Sequence, residues 1–439
     1  MRGSNGRSSV KMLVTEAVRQ RTTCRLCNAR TLDRVLSLVP TPPANAFVAA
    51  PEYGDPQDRF PLDVFLCRDC GHVQLLDIVD PFRLFQRRRS PIQGLPLAVA
   101  YFEAYARGLM QRFRLTQDAL VVEIGSNDGT MLRCLEDAGL RPQGVEPAVD
   151  LARDAIARGV PTFPGFFSPA IAARIEEERG RAAMVIANSV FAHTDDLRGF
   201  LEGVQQLLAR DGIFVFEVAY LLDVIERSAV DTIRHENLDY HSVMPLVWFL
   251  HSSDMELIGV ERVGGAAGRL RGFAQRLGGQ YAADGSVQNL CEEERRMALA
   301  EPATFRRLEA RIGGLRNALT RTLAAVREKG GRVAGYGAPA KATTLLHQFG
   351  LGPEVIDFIV DDSPWKQGLY TPGLLIPVLP PEALYERQPD VVIVLAWDYA
   401  EDIITRHRAY RSAGGRFIVP LPEIAVIEAM GMQDRQPEA

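Results

Sequence analysis

The chain has 439 residues, 47% of them hydrophobic and 24% charged, the make-up of a globular protein of two or three domains rather than a disordered, collagenous or membrane-spanning one. With 50 Lys+Arg against 55 Asp+Glu the formal net charge is -5, so no overall cationic field would hold a nucleic acid, and none is expected as a partner. No apolar run is long enough to span a bilayer, and the polar, basic start from Met1 to Arg21 lacks the apolar core of a secretion signal, so a cytoplasmic protein with no membrane partner is expected.

Four of the six cysteines fall in two CxxC pairs, Cys24/Cys27 and Cys67/Cys70. A CxxC turn faces two thiolates toward one centre, and a second pair completes the tetrahedral four-sulfur set that zinc prefers. Two disulfides would be out of place in a reducing cytosol, and a redox site needs only one such pair. The Pro-rich stretch around Pro42 and Pro43 is expected as a loop between the pairs. His72 is expected as a supporting or surface histidine, since four thiolates already close the shell, and Cys134 and Cys291 as packing residues.

From about Leu84 to Phe113 the sequence reads as a connector, with the basic run Arg87 to Arg89, followed by an apolar-periodic helix. Short apolar strands then alternate with amphipathic helices: ALVVEIG, MLRCLEDAG, RPQGVEP, VDLARDAIARG, AAMVIANSVF and DGIFVFEVAYL, the pattern of a doubly wound parallel sheet. The first strand runs into the glycine loop Glu123-Ile-Gly125-Ser-Asn127-Asp128-Gly129. Its glycines permit close backbone approach, and Glu123 can face a ligand's ammonium. A dinucleotide would bring phosphate to this acidic loop, whereas S-adenosylmethionine (SAM) brings an ammonium and a sulfonium, so the charges favour SAM. Glu146, ending the next strand in GVEPA, is placed to accept ribose hydroxyls.

A long amphipathic helix from about Thr304 to Glu328 opens a second α/β series, GRVAGYGAPAKATTLLHQ, EVIDFIVDD, PDVVIVLAW and GGRFIVPLP. Its loop Gly335-Tyr-Gly337-Ala-Pro-Ala340, with Asp361 and Asp362 ending the next strand, matches the GxGxxA dinucleotide fingerprint and raises an NAD-dependent oxidoreductase as an alternative. Lys341 directly after the loop opposes the helix dipole unless it meets an anion, and a substrate phosphate would supply one.

These segments, together with PANAF at 43–47, GFF at 165–167, NSVFAHTDD at 188–196, FEVAYL at 216–221 and DDSPWKQGLYTPG, resemble over nearly the whole chain the zinc-containing sugar C-methyltransferases that act on thymidine-diphosphate-linked 4-keto-deoxyhexoses in antibiotic biosynthesis. The resemblance implies a zinc-binding module at 20–85, a SAM-binding domain at 86–300 and a Rossmann-like substrate-binding domain at 301–439. It implies a cofactor site on Glu123, Gly125, Asn127, Asp128, Gly129, Glu146, Pro147 and Asn188, and a small-molecule substrate between the last two domains, in a monomer or small homo-oligomer.

The catalytic segment departs from the family. Where the family carries Tyr-His-Glu-His, this chain reads Arg234-His235-Glu236-Asn237, followed by Tyr240 and His241; Gln86 to Pro91 replaces a tyrosine-rich stretch, and Ala266 to Arg269 replaces His-Gly-Gly-Ser. C-methylation beside a ketone needs a base for an α-proton and a donor for the enolate oxygen. His193, at the end of a strand, is the leading base; Glu236, His235 and His241 are the other catalytic candidates. Arg234, Asn237, Tyr240, Gly337 and Lys341 are the candidate substrate contacts. The departures predict poor C-methylation of the usual 4-keto-deoxyhexose nucleotides, and Arg234 and Arg269 suit an anionic acceptor. O- or N-methylation is the alternative within the same fold.

Overall fold

The computed structural model describes residues 17–85, 96–264 and 268–429. The basic run Arg87 to Arg89, the rest of Gln86 to Pro91, Ala266 and most of the N-terminal leader lie outside them. The N-terminal module has strands β1 (Val18–Gln20), β2 (Leu32–Thr41), β3 (Phe60–Cys67), β4 (Val73–Leu75) and β5 (Asp77–Val79). β2, β3 and β4 form an antiparallel meander, and β1 pairs with β5. Phe60, Leu62, Val64 and Leu66 alternate inward along β3, the period of a half-buried strand.

Next come β6 (Leu120–Ile124), β7 (Arg141–Glu146), β8 (Thr162–Pro164), β9 (Ala182–Asn188) and β10 (Leu208–Ala219), parallel in the order β8-β7-β6-β9-β10. Every residue of β6 is buried, as expected of a parallel strand covered on both faces. The chain winds outward from β6 to β8 and returns to β9, so strand order reverses between β6 and β9. β11 (Asp239–Tyr240) leaves this sheet and pairs with β4 of the N-terminal module. β12 (Met255–Val263) and β13 (Arg269–Arg276) close the sheet with an antiparallel edge, in the order β10-β13-β12.

The helix Pro302–Glu328 leads into β14 (Val333–Tyr336), β15 (Phe358–Val360), β16 (Val378–Leu379), β17 (Val391–Val394), β18 (Arg416–Val419) and β19 (Ala425–Ile427), ordered β16-β15-β14-β17-β18-β19 and parallel except for β19. This sheet reverses between β14 and β17. The architecture is the expected one: a small cysteine-bearing module, a central doubly wound α/β domain and a Rossmann-like α/β domain.

The three parts share one continuous core that includes Leu36, Val122 and Ile393. The helix Ala340–Phe349 is the wedge between them, buried at every position from Lys341 to Phe349. Its Gln348 exchanges two hydrogen bonds with the backbone of Val39, at 2.9 and 3.0 Å, and its Thr344 hydroxyl donates to the Ile233 carbonyl at 2.8 Å.

Candidate functional site

The four module cysteines converge, with all four sulfurs within 4.8 Å of one another. Cys24 and Cys70 Sγ lie 3.7 Å apart, and Cys27 and Cys67 Sγ 3.5 Å. A zinc tetrahedron with Zn–S bonds of about 2.3 Å has edges of about 3.8 Å, so the set fits this ion. Each CxxC turn closes the same way: Asn28 N–H donates back to the Cys24 carbonyl and Gly71 N–H to the Cys67 carbonyl, with φ of 61° and 76° at those two residues. The Cys70 thiol and the nearby His72 pull the Cys24 thiol down to about 4 against burial, so the cluster supplies a thiolate.

The turn also reaches outward. Arg25, between two of the cysteines, is fully buried and pairs through Nε with Asp195 at 2.9 Å, and Arg21 joins the same carboxylate at 3.1 Å. Burial pushes Asp195 up, but Arg25, Arg19 and Arg21 outweigh it and the carboxyl sits below its ordinary range. His72 is buried, and its Nε2 meets Asp239 Oδ1 at 2.7 Å. Cys134 and Cys291 are buried packing residues, as expected.

In an open parallel sheet, ligands bind at the carboxyl ends of the strands where strand order reverses. Here the two reversals face each other across one cavity of about 1280 Å³. The β6/β9 side contributes Glu123, Gly125, Asn188 and Val190, and the β14/β17 side Tyr336, Gly337 and Ala396. A pocket for one small ligand is typically about 300–1,000 Å³, so this cavity has room for two.

On the central sheet, Gly125 has φ of 76°, and a Cβ there would stand 2.3 Å from Val190 Cγ2. That residue must be glycine for the loop to reach the β9 end. Asp128 accepts from the backbone and hydroxyl of Thr130, the first residue of the helix Thr130–Asp137; neither it nor Gly129 is on the cavity wall. Asn127, Glu146, Pro147 and Asn188 are on it. Both Glu146 oxygens accept backbone N–H groups at 2.8 Å, from Asn127 and Ala148, which fixes the carboxylate. Asn188 Oδ1 accepts from the Tyr105 hydroxyl at 3.2 Å. Glu123 is buried at the cavity with Oε2 lacking a hydrogen-bond partner among the described residues. Burial, then Glu146 and Asp128, raise its carboxyl to about 8.

Of the catalytic candidates, His193, His235 and Glu236 line the cavity. The His193 ring stacks on Phe85 at 5.4 Å, and its Nε2 lies 3.0 Å from Asn237 Oδ1. His235 Nε2 meets the Phe60 carbonyl at 3.2 Å, and burial holds its pKa below the ordinary value, partly countered by Glu236. His241 is away from the cavity: its ring is wholly buried, stacked at 7° on Phe191, and burial pushes its pKa down to about 4.

Among the candidate substrate contacts only Gly337 reaches the wall. Asn237 instead bonds to His193, and buried Tyr240 accepts the Arg234 backbone N–H at 3.3 Å. Arg234 itself has its Nε 3.7 Å from Glu236. Lys341 meets no open anion site, because Asp398 and Asp231 pair with it and its ammonium lies 4.1 Å from the Trp397 ring centre. The helix dipole is therefore offset from within the chain.

The dinucleotide fingerprint fares similarly. Asp361 takes the Ala338 N–H at 2.6 Å and the Lys366 ammonium at 3.1 Å, so its charge is already paired within the chain. The sequence reading missed Glu217, which lines the cavity at the end of β10 and is held by Arg271 at 2.6 Å and the Tyr101 hydroxyl at 2.8 Å. A carboxylate inside the apolar strand GIFVFEVA was the available signal. It also missed Arg406 on the opposite wall, which pairs with Asp362 at 2.8 Å.

Three families match consecutive parts of the chain: "Putative zinc binding domain" at 24–85, "Methyltransferase domain" at 98–258 and "C-methyltransferase C-terminal domain" at 265–422. The C-methyltransferase NovU of Streptomyces niveus is 34% identical over 406 residues, 92% of this chain and 97% of that one. Among solved structures, the PH0226 protein of Pyrococcus horikoshii OT3 is similar at 16% identity over 45% of this chain and 98% of its own, with a TM-score of 0.35. An S-adenosylmethionine-dependent methyltransferase of Clostridium acetobutylicum ATCC 824 is similar at 8% identity over 40% and 91%, with a TM-score of 0.32. No described helix is long and apolar enough to cross a membrane. The chain belongs to the C-methyltransferase family that joins a zinc-binding module, a methyltransferase domain and a C-methyltransferase C-terminal domain, and it is a SAM-dependent methyltransferase with a four-cysteine zinc site.

Proposed function

We propose that the enzyme methylates a carbon beside a ketone on a nucleotide-linked sugar, in secondary metabolism. The observation that carries the reading is one cavity, roomy enough for donor and acceptor together, with His193 on its wall. SAM, when bound, supplies an electrophilic methyl on a sulfonium.

The chain's own residues do the rest. Glu123 would face the ammonium of the methionine part with the oxygen that lacks a hydrogen-bond partner among the described residues, and Glu146, held by two backbone amides, would accept ribose hydroxyls. His193 takes the proton from the acceptor carbon, leaving the electron pair as an enolate positioned for in-line attack. Lys366 and Arg406 are the cations of the facing wall, which Lys341 does not reach, and a substrate phosphate there would share them with Asp361 and Asp362. Of the two arginines from which an anionic acceptor was inferred, Arg234 falls off the cavity wall, whereas Arg269 lines it with its guanidinium 3.6 Å from the Glu217 carboxylate, so its charge is met within the chain.

Product analysis with methyl-labelled SAM and a panel of 4-keto-sugar nucleotides tests this. Label on a carbon beside the ketone supports the reading; label only on oxygen or nitrogen of such an acceptor, or no transfer to any of them, overturns it.

Glu123 makes SAM binding depend on pH. Raised to about 8, it is mostly protonated at pH 7, and an ammonium against it favours the carboxylate. Binding at pH 7 is therefore expected to release a proton, and affinity to rise from pH 6 to 7.5 by up to about tenfold per unit, below the range where an α-amino group itself titrates near 8. Calorimetry in buffers of different ionisation enthalpy reads this directly, and no net proton release places the ammonium elsewhere. In the same assay Glu146→Ala is expected to weaken SAM by about 1.5–3 kcal/mol, the scale of one charge-assisted hydrogen bond. Unchanged affinity moves the ribose off Glu146.

A further inference from the structure

Asn237 is buried, and its amide has only one workable orientation. Its Nδ2 donates to the Thr232 carbonyl at 2.8 Å, a group that can only accept. Turning the amide over would set two acceptor oxygens against each other. Oδ1 is therefore the atom that faces His193, 3.0 Å from Nε2, and an acceptor there requires a proton on that nitrogen.

We propose that Asn237 is a positioning residue that locks the His193 imidazole in its Nε2-protonated tautomer, which leaves the ring's lone pair on Nδ1. The proposal rests on His193 being the base.

The backbone around the pair is built to hold it. Leu238, next to Asn237, donates its N–H to the carbonyl of Ala192, next to His193, at 2.8 Å; the Leu238 carbonyl in turn accepts from Leu75 of β4, also at 2.8 Å. One hydrogen-bonded row thus runs from the zinc-bearing module through the Asn237 segment to the His193 segment. Phe85 covers one face of the ring at 5.4 Å. Side-chain ties from the module fix both segments again, Arg25 to Asp195 beyond His193 and His72 to Asp239 beyond Asn237.

A neutral amide is suited to this task. A carboxylate in the same place would orient the ring equally well but would also favour the imidazolium, keeping the base protonated at neutral pH. The amide sets direction without adding charge.

The test uses full-length, zinc-loaded protein labelled with 15N in its seven histidines. The His193→Ala variant identifies the His193 signals. The proton is expected on Nε2 in the wild type, and Asn237→Leu is expected to give a mixture of tautomers. In the near-isosteric Asn237→Asp the His193 titration is expected to move upward by about one pH unit or more. A wild-type His193 carrying its proton on Nδ1, or tautomer and titration unchanged in Asn237→Asp and Asn237→Leu, overturns the proposal. If Asn237→Leu does not fold, the wild-type and Asn237→Asp spectra decide alone. Full turnover in His193→Ala would instead remove His193 as the base, and the spectra would still report separately whether Asn237 sets the tautomer.

Discussion

His193→Ala is expected to lower turnover by about 10²-fold or more while leaving SAM affinity nearly unchanged, because losing a general base acts on the chemical step. The cofactor contacts proposed above, Glu123 and Glu146, belong to the ends of β6 and β7, whereas His193 lies past the end of β9. Single-turnover kinetics beside a binding isotherm separates the two effects. A fully active variant would pass the role to Glu236, a cavity carboxylate with an oxygen that lacks a hydrogen-bond partner among the described residues. It would not pass to His241, which is walled off; His235, on the cavity wall with an Nδ1 that lacks a hydrogen-bond partner among the described residues, is the other candidate.

Loss of the metal is expected to be more drastic. A structural zinc in a small module contributes folding free energy outright, about 10–16 kcal/mol in isolated finger peptides at neutral pH. Cys67→Ser is therefore expected to give insoluble protein. Stripping the wild type with a chelator should lower its melting temperature by many degrees, given roughly 2–4 °C per kcal/mol in a domain of 150–250 residues. Metal analysis alongside scanning calorimetry checks both the content, one zinc per chain, and the shift. Metal-free protein that melts where the loaded protein does would sink the idea that the ion holds the module. Arg25 and His72 make a further loss follow, because the partners they leave behind, half-buried Asp195 and buried Asp239, adjoin the His193 and Asn237 segments.

Local pattern accounts for much of what was legible beforehand. ALVV became β6, RPQGVE became β7, and the helix expected from about Thr304 begins at Pro302, because each of these is decided by its own periodicity and caps. The two CxxC turns were legible because the spacing within each turn is itself the chemistry. What stayed hidden depends on partners far along the chain. Lys341 looked like a phosphate ligand because its counter-charges, Asp231 and Asp398, sit in other segments. Asn237 looked like a failed base because the carbonyl of Thr232 and the ring of His193, which give its amide a purpose, are joined to it only by folding. His241 looked available because nothing in its local sequence reveals that Phe191 lies flat against it.

The pairing of β11 with β4 decides what can be exchanged between relatives. Part of the N-terminal module's sheet is donated by a stretch that lies between β10 and β12, more than a hundred residues further along than the module's own strands. The heritable unit is thus discontinuous: a chimera cut cleanly after residue 85 would import a new β4 and a new His72 equivalent but keep the old Asp239–Tyr240 strand and the old Asp195. Recombinants that carry Asp195 and the Asn237–Tyr240 segment together with the module keep a buried hydrogen-bonded seam matched, whereas those that split them at the obvious boundary would have to rebuild it from mismatched halves.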